Sequence, residues 1–180
     1  MQPLKKLSGI LGSLADKDHF LFTAADLSGI MGDGKHLAVV LSRAVKAGLL
    51  KRVCRGVYLY PPAAGSLEHV LFHAAARLRP DELNYISLET ALSDAGLISQ
   101  VPMNWITLMS SGRSHVVNCG EFGRMEFVHT AQSPADLSDD LTYDADRHLW
   151  RASVSQALRD MKATRRSMDL VNLEAAHESV

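Results

Sequence analysis

The 180-residue sequence carries two cysteines, Cys54 and Cys119. Two thiols make no disulfide framework, and their separation fits no metal-ligand spacing, so the chain reads as a reduced, cytoplasmic protein. Long hydrophobic runs are also missing. Apolar residues make up 47% of the chain, but they come in short periodic stretches, far from the roughly 20 consecutive residues of a bilayer-crossing helix. The start, Met1-Gln2-Pro3-Leu4-Lys5-Lys6, is basic like a signal peptide, yet Ser8, Gly9, Gly12 and Asp16 interrupt the following apolar stretch before an h-region forms. No membrane association is expected. Internal repeats, low-complexity tracts, a Gly-Lys-Ser/Thr phosphate loop and a Gly-Ser followed by spaced aspartates of the nucleotidyltransferase kind are absent.

Catalytic constellations are equally hard to assemble. His69 and His73 have the i, i+4 spacing of two zinc ligands, but position 70, where a zinc protease would carry its base, is Val. Ordinary structural histidines are the better reading. Cys119 lies near His115 with no orienting acid, so a strand cysteine beside a surface histidine is expected rather than a nucleophile pair. Gly120-Glu121-Phe122-Gly123 is too short to cradle phosphate and reads as a hairpin turn. These absences argue against an enzyme, a cofactor or a metal site.

What is present is a charge asymmetry. The formal net charge is −1, yet residues 1–60 hold nine Lys/Arg against four acids, while the rest hold ten against sixteen. A cationic N-terminal part suits a polyanionic partner, because attraction depends on the local field. The sign changes near Pro61-Pro62-Ala63-Ala64-Gly65, where paired prolines stop a strand. Two domains are therefore expected, at 1–62 and 66–180, in an α+β fold.

The first domain reads as three helices and a hairpin. Leu4, Leu7, Leu11 and Leu14 set a first helix over Leu4–Ala15. Thr23 caps a second over Ala24–Met31, with Asp26 in its first turn. After the tight turn Gly32-Asp33-Gly34, a third helix runs over Lys35–Ala47 and closes at Gly48. Leu49–Val53 and Val57–Tyr60 read as strands around Cys54-Arg55-Gly56, with Gly56 free to adopt a positive φ. This order is that of a winged helix-turn-helix, whose third helix enters the DNA major groove. In that helix Leu37, Val40, Leu41 and Ala44 face the core. Lys35, Val39, Ser42 and Lys46, flanked by His36 and Arg43, form the opposite face. The cations and hydroxyl suit phosphates or base edges, and Val39 suits a thymine methyl. A solvated helix face would look similar; the cations Lys51, Arg52 and Arg55 in the ribbon tip the reading to DNA binding, because a short ribbon needs no such charge for stability.

The second domain reads as mixed α/β. Helices are expected over Ser66–Leu78, with Leu67, Val70, Leu71 and Ala74 inward, and from a Ser87 cap to Gly96. Trp105–Met109, Ser114–Asn118 and Met125–His129 are strand-like. A short helix is expected over Pro134–Leu141, a longer one over Ala145–Met161 with Trp150, Val154, Ala157, Leu158 and Met161 on one face, and a last one over Met168–Leu173.

The run Leu41-Ser42-Arg43-Ala44-Val45-Lys46-Ala47-Gly48-Leu49-Leu50-Lys51-Arg52-Val53-Cys54-Arg55-Gly56-Val57-Tyr58 resembles the winged helix of AbiEi-type antitoxins. A second match follows at Tyr85-Ile86-Ser87-Leu88-Glu89-Thr90-Ala91-Leu92, then Gly96-Leu97-Ile98 and Val101-Pro102. The resemblance implies a type IV toxin–antitoxin system, in which the antitoxin represses its own operon through the winged helix. Its short C-terminal domain would counteract a nucleotidyltransferase-like toxin, a functional partner rather than a member of a stable complex. It further implies DNA contacts at Lys51, Arg52 and Arg55 and on the polar face of the third helix. The Ser87–Leu92 motif reads as packing and capping. Lys162, Arg165 and Arg166, near the end of the long helix, suit a helix C-terminus; the alternative is a second anionic contact, to flanking DNA or toxin-bound RNA. The rival reading is a winged-helix transcription factor whose second domain senses a ligand or dimerises, with no toxin partner.

Overall fold

The computed structural model describes residues 2–32, 35–99 and 101–178. It divides into two compact units, Met1–Val70 and Leu71–Val180. The first contains α1 (Pro3–Leu14), β1 (Leu21–Thr23), α2 (Ala24–Met31), α3 (Lys35–Lys46), β2 (Lys51–Cys54) and β3 (Val57–Leu59). Its three strands form an antiparallel sheet in the order β1-β3-β2. Three helices on a small sheet in this order are a winged helix-turn-helix, and the whole chain is α+β.

Local chemistry explains the elements. Pro3 at the first turn of α1 lacks only an N–H that would have no helical partner there. Thr23 and Asp26 form a capping box on α2: Asp26 N–H donates to Thr23 Oγ1 at 3.1 Å and Thr23 N–H to Asp26 Oδ2 at 2.7 Å. Leu7, Leu11, Leu27, Leu37, Val40, Leu41, Ala44 and Leu50 are buried together, so α3 packs its apolar stripe inward as its periodicity demands. Strand β1 has no local signature in the sequence. It is three residues long, and it becomes a strand by pairing with β3, Phe22 opposite Tyr58. Of the expected turn at 32–34, Asp33 and Gly34 lie outside the described residues.

The second unit contains α4, which opens at the unit boundary (Val70–Leu78), then β4 (Asn84–Ile86), α5 (Leu88–Asp94), β5 (Trp105–Ser110), β6 (His115–Asn118), β7 (Arg124–His129), β8 (Leu141–Asp144), β9 (Leu149–Ala152), α6 (Val154–Ala163) and α7 (Leu173–Glu178). Its six strands run β6-β7-β5-β4-β9-β8, with parallel pairs at β5–β7 and β4–β9 and antiparallel pairs elsewhere. Gly123, in the turn before β7, cannot be replaced without damage. Its φ is +114°, and a Cβ there would lie 1.9 Å from the backbone oxygen of Asn104.

Several expectations for this unit are corrected. The helix expected over Ser66–Leu78 begins only at Val70, and Leu67 is 43% exposed. Ser66 Oγ accepts from Glu68 N–H at 3.2 Å, a local turn that competes with helix. Ser87 occupies the cap position of α5 but does not cap it: its hydroxyl donates to Asp160 Oδ2 at 2.6 Å, and Leu88 enters the helix through a φ of +57°. Pro134 to Asp140 forms successive turns rather than a helix. The helix expected from Ala145 starts at Val154, where the Ser153 hydroxyl accepts from Gln156 N–H at 3.1 Å. Residues before it form β9, held between β4 and β8, and Trp150 stands 44% exposed on that strand. Tertiary pairing has overridden helical spacing there. Met168–Leu173 is not a helix either. Val171 makes an isolated bridge to Ile98, and α7 starts at Leu173.

A polar network lies inside this unit. Asp160, 2% exposed, accepts from Ser87 Oγ, from Tyr85 OH at 3.1 Å and from Gln156 Nε2 at 2.8 Å. Burial pushes the Asp160 carboxyl above the usual range, and the hydrogen bonds from Ser87, Tyr85 and Gln156 pull it back only in part. Burial, with the charge of Asp160, likewise raises the Tyr85 hydroxyl.

Candidate nucleic-acid interface

Helix α3 presents two faces. Leu37, Val40, Leu41 and Ala44 are buried, whereas His36, Val39, Ser42, Arg43 and Lys46 are exposed. At about 100° per residue the exposed set falls within an arc of roughly 120° opposite the core stripe, and at 1.5 Å per residue it runs about 15 Å along the helix. Lys35 opens α3, and its side chain lies outside the described residues. Val39 is 46% exposed in the middle of this polar face. An apolar residue so placed gains nothing from burial in the free protein, but can meet a thymine methyl.

The hairpin carries the second group of cations. Lys51 and Arg52 are exposed on β2, and Arg55 is exposed in the two-residue turn to β3. Gly56 takes a φ of +81° in that turn, a conformation that other residues rarely adopt. Arg52 Nε donates to Cys54 O at 3.3 Å, which lays its guanidinium along the ribbon. The turn is itself anchored: Ala24 N–H, at the start of α2, donates to Gly56 O at 2.9 Å. Arg55 is thus displayed from a fixed short wing.

Among the described residues Arg43, Lys46 and Arg55 form no ion pair, so their charge is available to an outside partner. Residues 11–61 match the family model of AbiEi antitoxin transcriptional regulators. The match spans β1, α2, α3 and the hairpin through β3, together with only the last turn of α1. It supports an antitoxin role and a DNA-binding regulator role, and it rests on the same segment that carries these cations. No curated protein matches the chain. No described helix is long and apolar enough to cross a membrane.

The other sequence candidates lie in the second unit. Lys162 and Arg165 are exposed at the end of α6. Arg166 is not available in the same way: its guanidinium donates to Glu89 Oε1 at 2.8 Å and to Glu126. Reading Arg166 as an anion contact is therefore replaced by a structural ion pair. His69 lies in the turn before α4 rather than on it. His73 is buried, its Nε2 2.8 Å from Asp146 O and its ring 4.3 Å from that of His148. Among the described residues no group of three or more His, Cys, Asp or Glu could hold a metal ion. Cys119 is buried with Sγ 3.9 Å from Val117 O.

Proposed function

We propose that this protein is a cytoplasmic type IV antitoxin that represses its own operon by binding promoter DNA through α3 and the wing. The observation that supports the reading is the set of exposed cations on α3 and on the hairpin, inside the segment matched by AbiEi antitoxin regulators. Lys35, His36, Val39, Ser42, Arg43 and Lys46 enter the major groove, which at about 12 Å wide admits one helix. Lys51, Arg52 and Arg55 contact the flanking phosphates or minor groove. The second unit counteracts a nucleotidyltransferase-like toxin without a lasting complex.

Binding of the full chain to its own promoter fragment and to a scrambled fragment, across a salt series, tests the DNA half. Preference for the promoter, with affinity falling steeply as salt rises, is expected because neutralised phosphates release counterions. Equal binding to both fragments, or none at low salt, overturns it. The gene neighbourhood and co-expression test the other half: an adjacent gene for a nucleotidyltransferase-like protein, and rescue of growth from it, are expected, and the absence of either leaves a regulator without a toxin partner.

A further inference from the structure

The second unit leaves the β6 edge of its sheet open. Two other sheet edges carry charge: β2 has Lys51 and Arg52, and β8 ends at Asp144, with Asp139, Asp140 and Asp146 close by in sequence. Such charges keep an edge from pairing with another chain. From Ser114 to Asn118 there is no Lys, Arg, Asp, Glu or Pro. His115, Val116 and Asn118 are exposed, Val116 by 46%. A hollow of about 320 Å³, lined by Val116, Val128 and Thr164 among others, leaves Val116 uncovered on that side.

Backbone direction fixes which groups this edge offers. Arg124 N–H donates to Asn104 O and Thr130 N–H to Ser110 O, each at 2.8 Å, so the even-numbered residues of β7 bond toward β5. Cys119 N–H donates to Gly123 O at 2.8 Å, so the odd-numbered residues of β6 bond toward β7. By alternation Ser114, Val116 and Asn118 turn both backbone groups outward. The ends of this row are held in place. Ser114 Oγ accepts from His129 N–H and Asn118 Oδ1 from Gly120 N–H, each at 2.9 Å. The edge is a preformed row of donors and acceptors.

We propose that a second copy of this chain pairs with this edge, β6 against β6, about a two-fold axis at Val116. An antiparallel register centred there sets Val116 opposite itself and Ser114 opposite Asn118, aligning all three outward-facing residues. Registers centred on His115 or Val117 align only two of the three. About six N–H···O bonds follow, because each directly bonded pair exchanges two. The two Val116 side chains then cover each other, and cross-strand pairs of this kind stabilise a sheet. Charge agrees with the register. It places Arg113 opposite Cys119 of the second copy and diagonally across from Glu121, and both Arg113 and Glu121 are exposed. So short a seam makes a weak, concentration-dependent dimer. No residue of the first unit takes part, so the pairing does not rest on DNA binding.

Sedimentation velocity of the full chain, from about 10 µM to about 1 mM, tests this pairing. The dimer is expected to grow with concentration. Val116→Lys and Val116→Glu should each weaken it at least about tenfold, because like charges then meet at the axis. A one-to-one mixture of the two variants should restore it. Both substitutions sit at an exposed position, and an unchanged melting temperature checks their fold. If either melts early, Val116→Cys decides. Oxidation should link two copies through that residue, whereas Val117→Cys, which faces His115 of the other copy, should not cross-link. A parent that stays monomeric at about 1 mM, a dimer that both charges leave intact, or a mixture that stays monomeric would each overturn the proposal.

Discussion

In the first unit Arg43, Lys46 and Arg55 stand exposed and make no ion pair among the described residues, while in the second several arginines are matched to carboxylates. Arg79 reaches Glu82 at 3.4 Å and lies 4.0 Å over the Phe127 ring. Arg147 pairs with Asp94 and covers Phe72 at 4.5 Å, Arg159 meets Asp140 at 2.5 Å, and Arg166 bridges Glu89 and Glu126. These four arginines therefore serve packing and ion pairing in the second unit, whereas Arg43 and Arg55 are kept available in the first. A cation already matched to a carboxylate has lost most of its attraction for phosphate, so local pairing says more about function than a net charge of −1.

The largest break in that comparison should come from reversing the exposed cations. Arg43→Glu/Arg52→Glu/Arg55→Glu is expected to cut promoter affinity on the order of 1,000-fold and to lower the salt slope by roughly three, one per lost phosphate contact. Its melting temperature should stay near that of the parent, and an unfolded triple variant would show that these residues are structural after all. In the second unit Gly123→Ala should cost about 3 kcal/mol in denaturant unfolding, through positive φ and the clash with Asn104, and leave DNA affinity unchanged. Arg166→Ala should follow at about 2 kcal/mol, because it strands two partly buried carboxylates. A loss of promoter affinity in Arg166→Ala, with the fold intact, would restore that residue as an anion contact.

A subtler contrast concerns pH. The Asp160 carboxyl is raised above its ordinary 3.8 by burial. Folding therefore favours its protonated form, and this contribution is full below the ordinary value and lost as pH rises through the raised one. The stability of the parent relative to Asp160→Asn should accordingly fall as pH climbs from about 4, and a flat difference curve would remove Asp160 as the cause. The smallest effect expected is at Arg165, which holds a φ of +55° just past α6. Arg165→Gly should stabilise the chain by about 1 kcal/mol in thermal melts.

The first unit was the more legible of the two because its signals are local. Thr23 with Asp26, the apolar stripe of α3 and the Gly56 turn each act within a few residues, and each appears where its spacing placed it. Strand β1 escaped because Leu21–Thr23 shows no alternation by itself and takes its form from β3. In the second unit Trp150 satisfied helical spacing with Val154, Ala157 and Met161, yet its backbone pairs with Tyr85, far away in sequence. The exposed face of α3 could be read from periodicity alone. The Arg166 bridge could not, since Arg166 is 77 residues from Glu89 and 40 from Glu126, and no motif links them.

The pairing of β4 with β9 has a consequence for how the protein is made. Tyr85 and Ile86 sit mid-sheet, yet their partners on one side, Trp150 and Arg151, are synthesised some 65 residues later. The winged helix closes its own sheet by residue 59, so it can fold while the remainder is still being translated. The second unit has to hold a central strand open until residue 152 has emerged. Long-range closure of this kind is slow and leaves strand edges exposed. During synthesis the first unit can mature first, and the second, with its non-local sheet, is the one exposed to aggregation for longer.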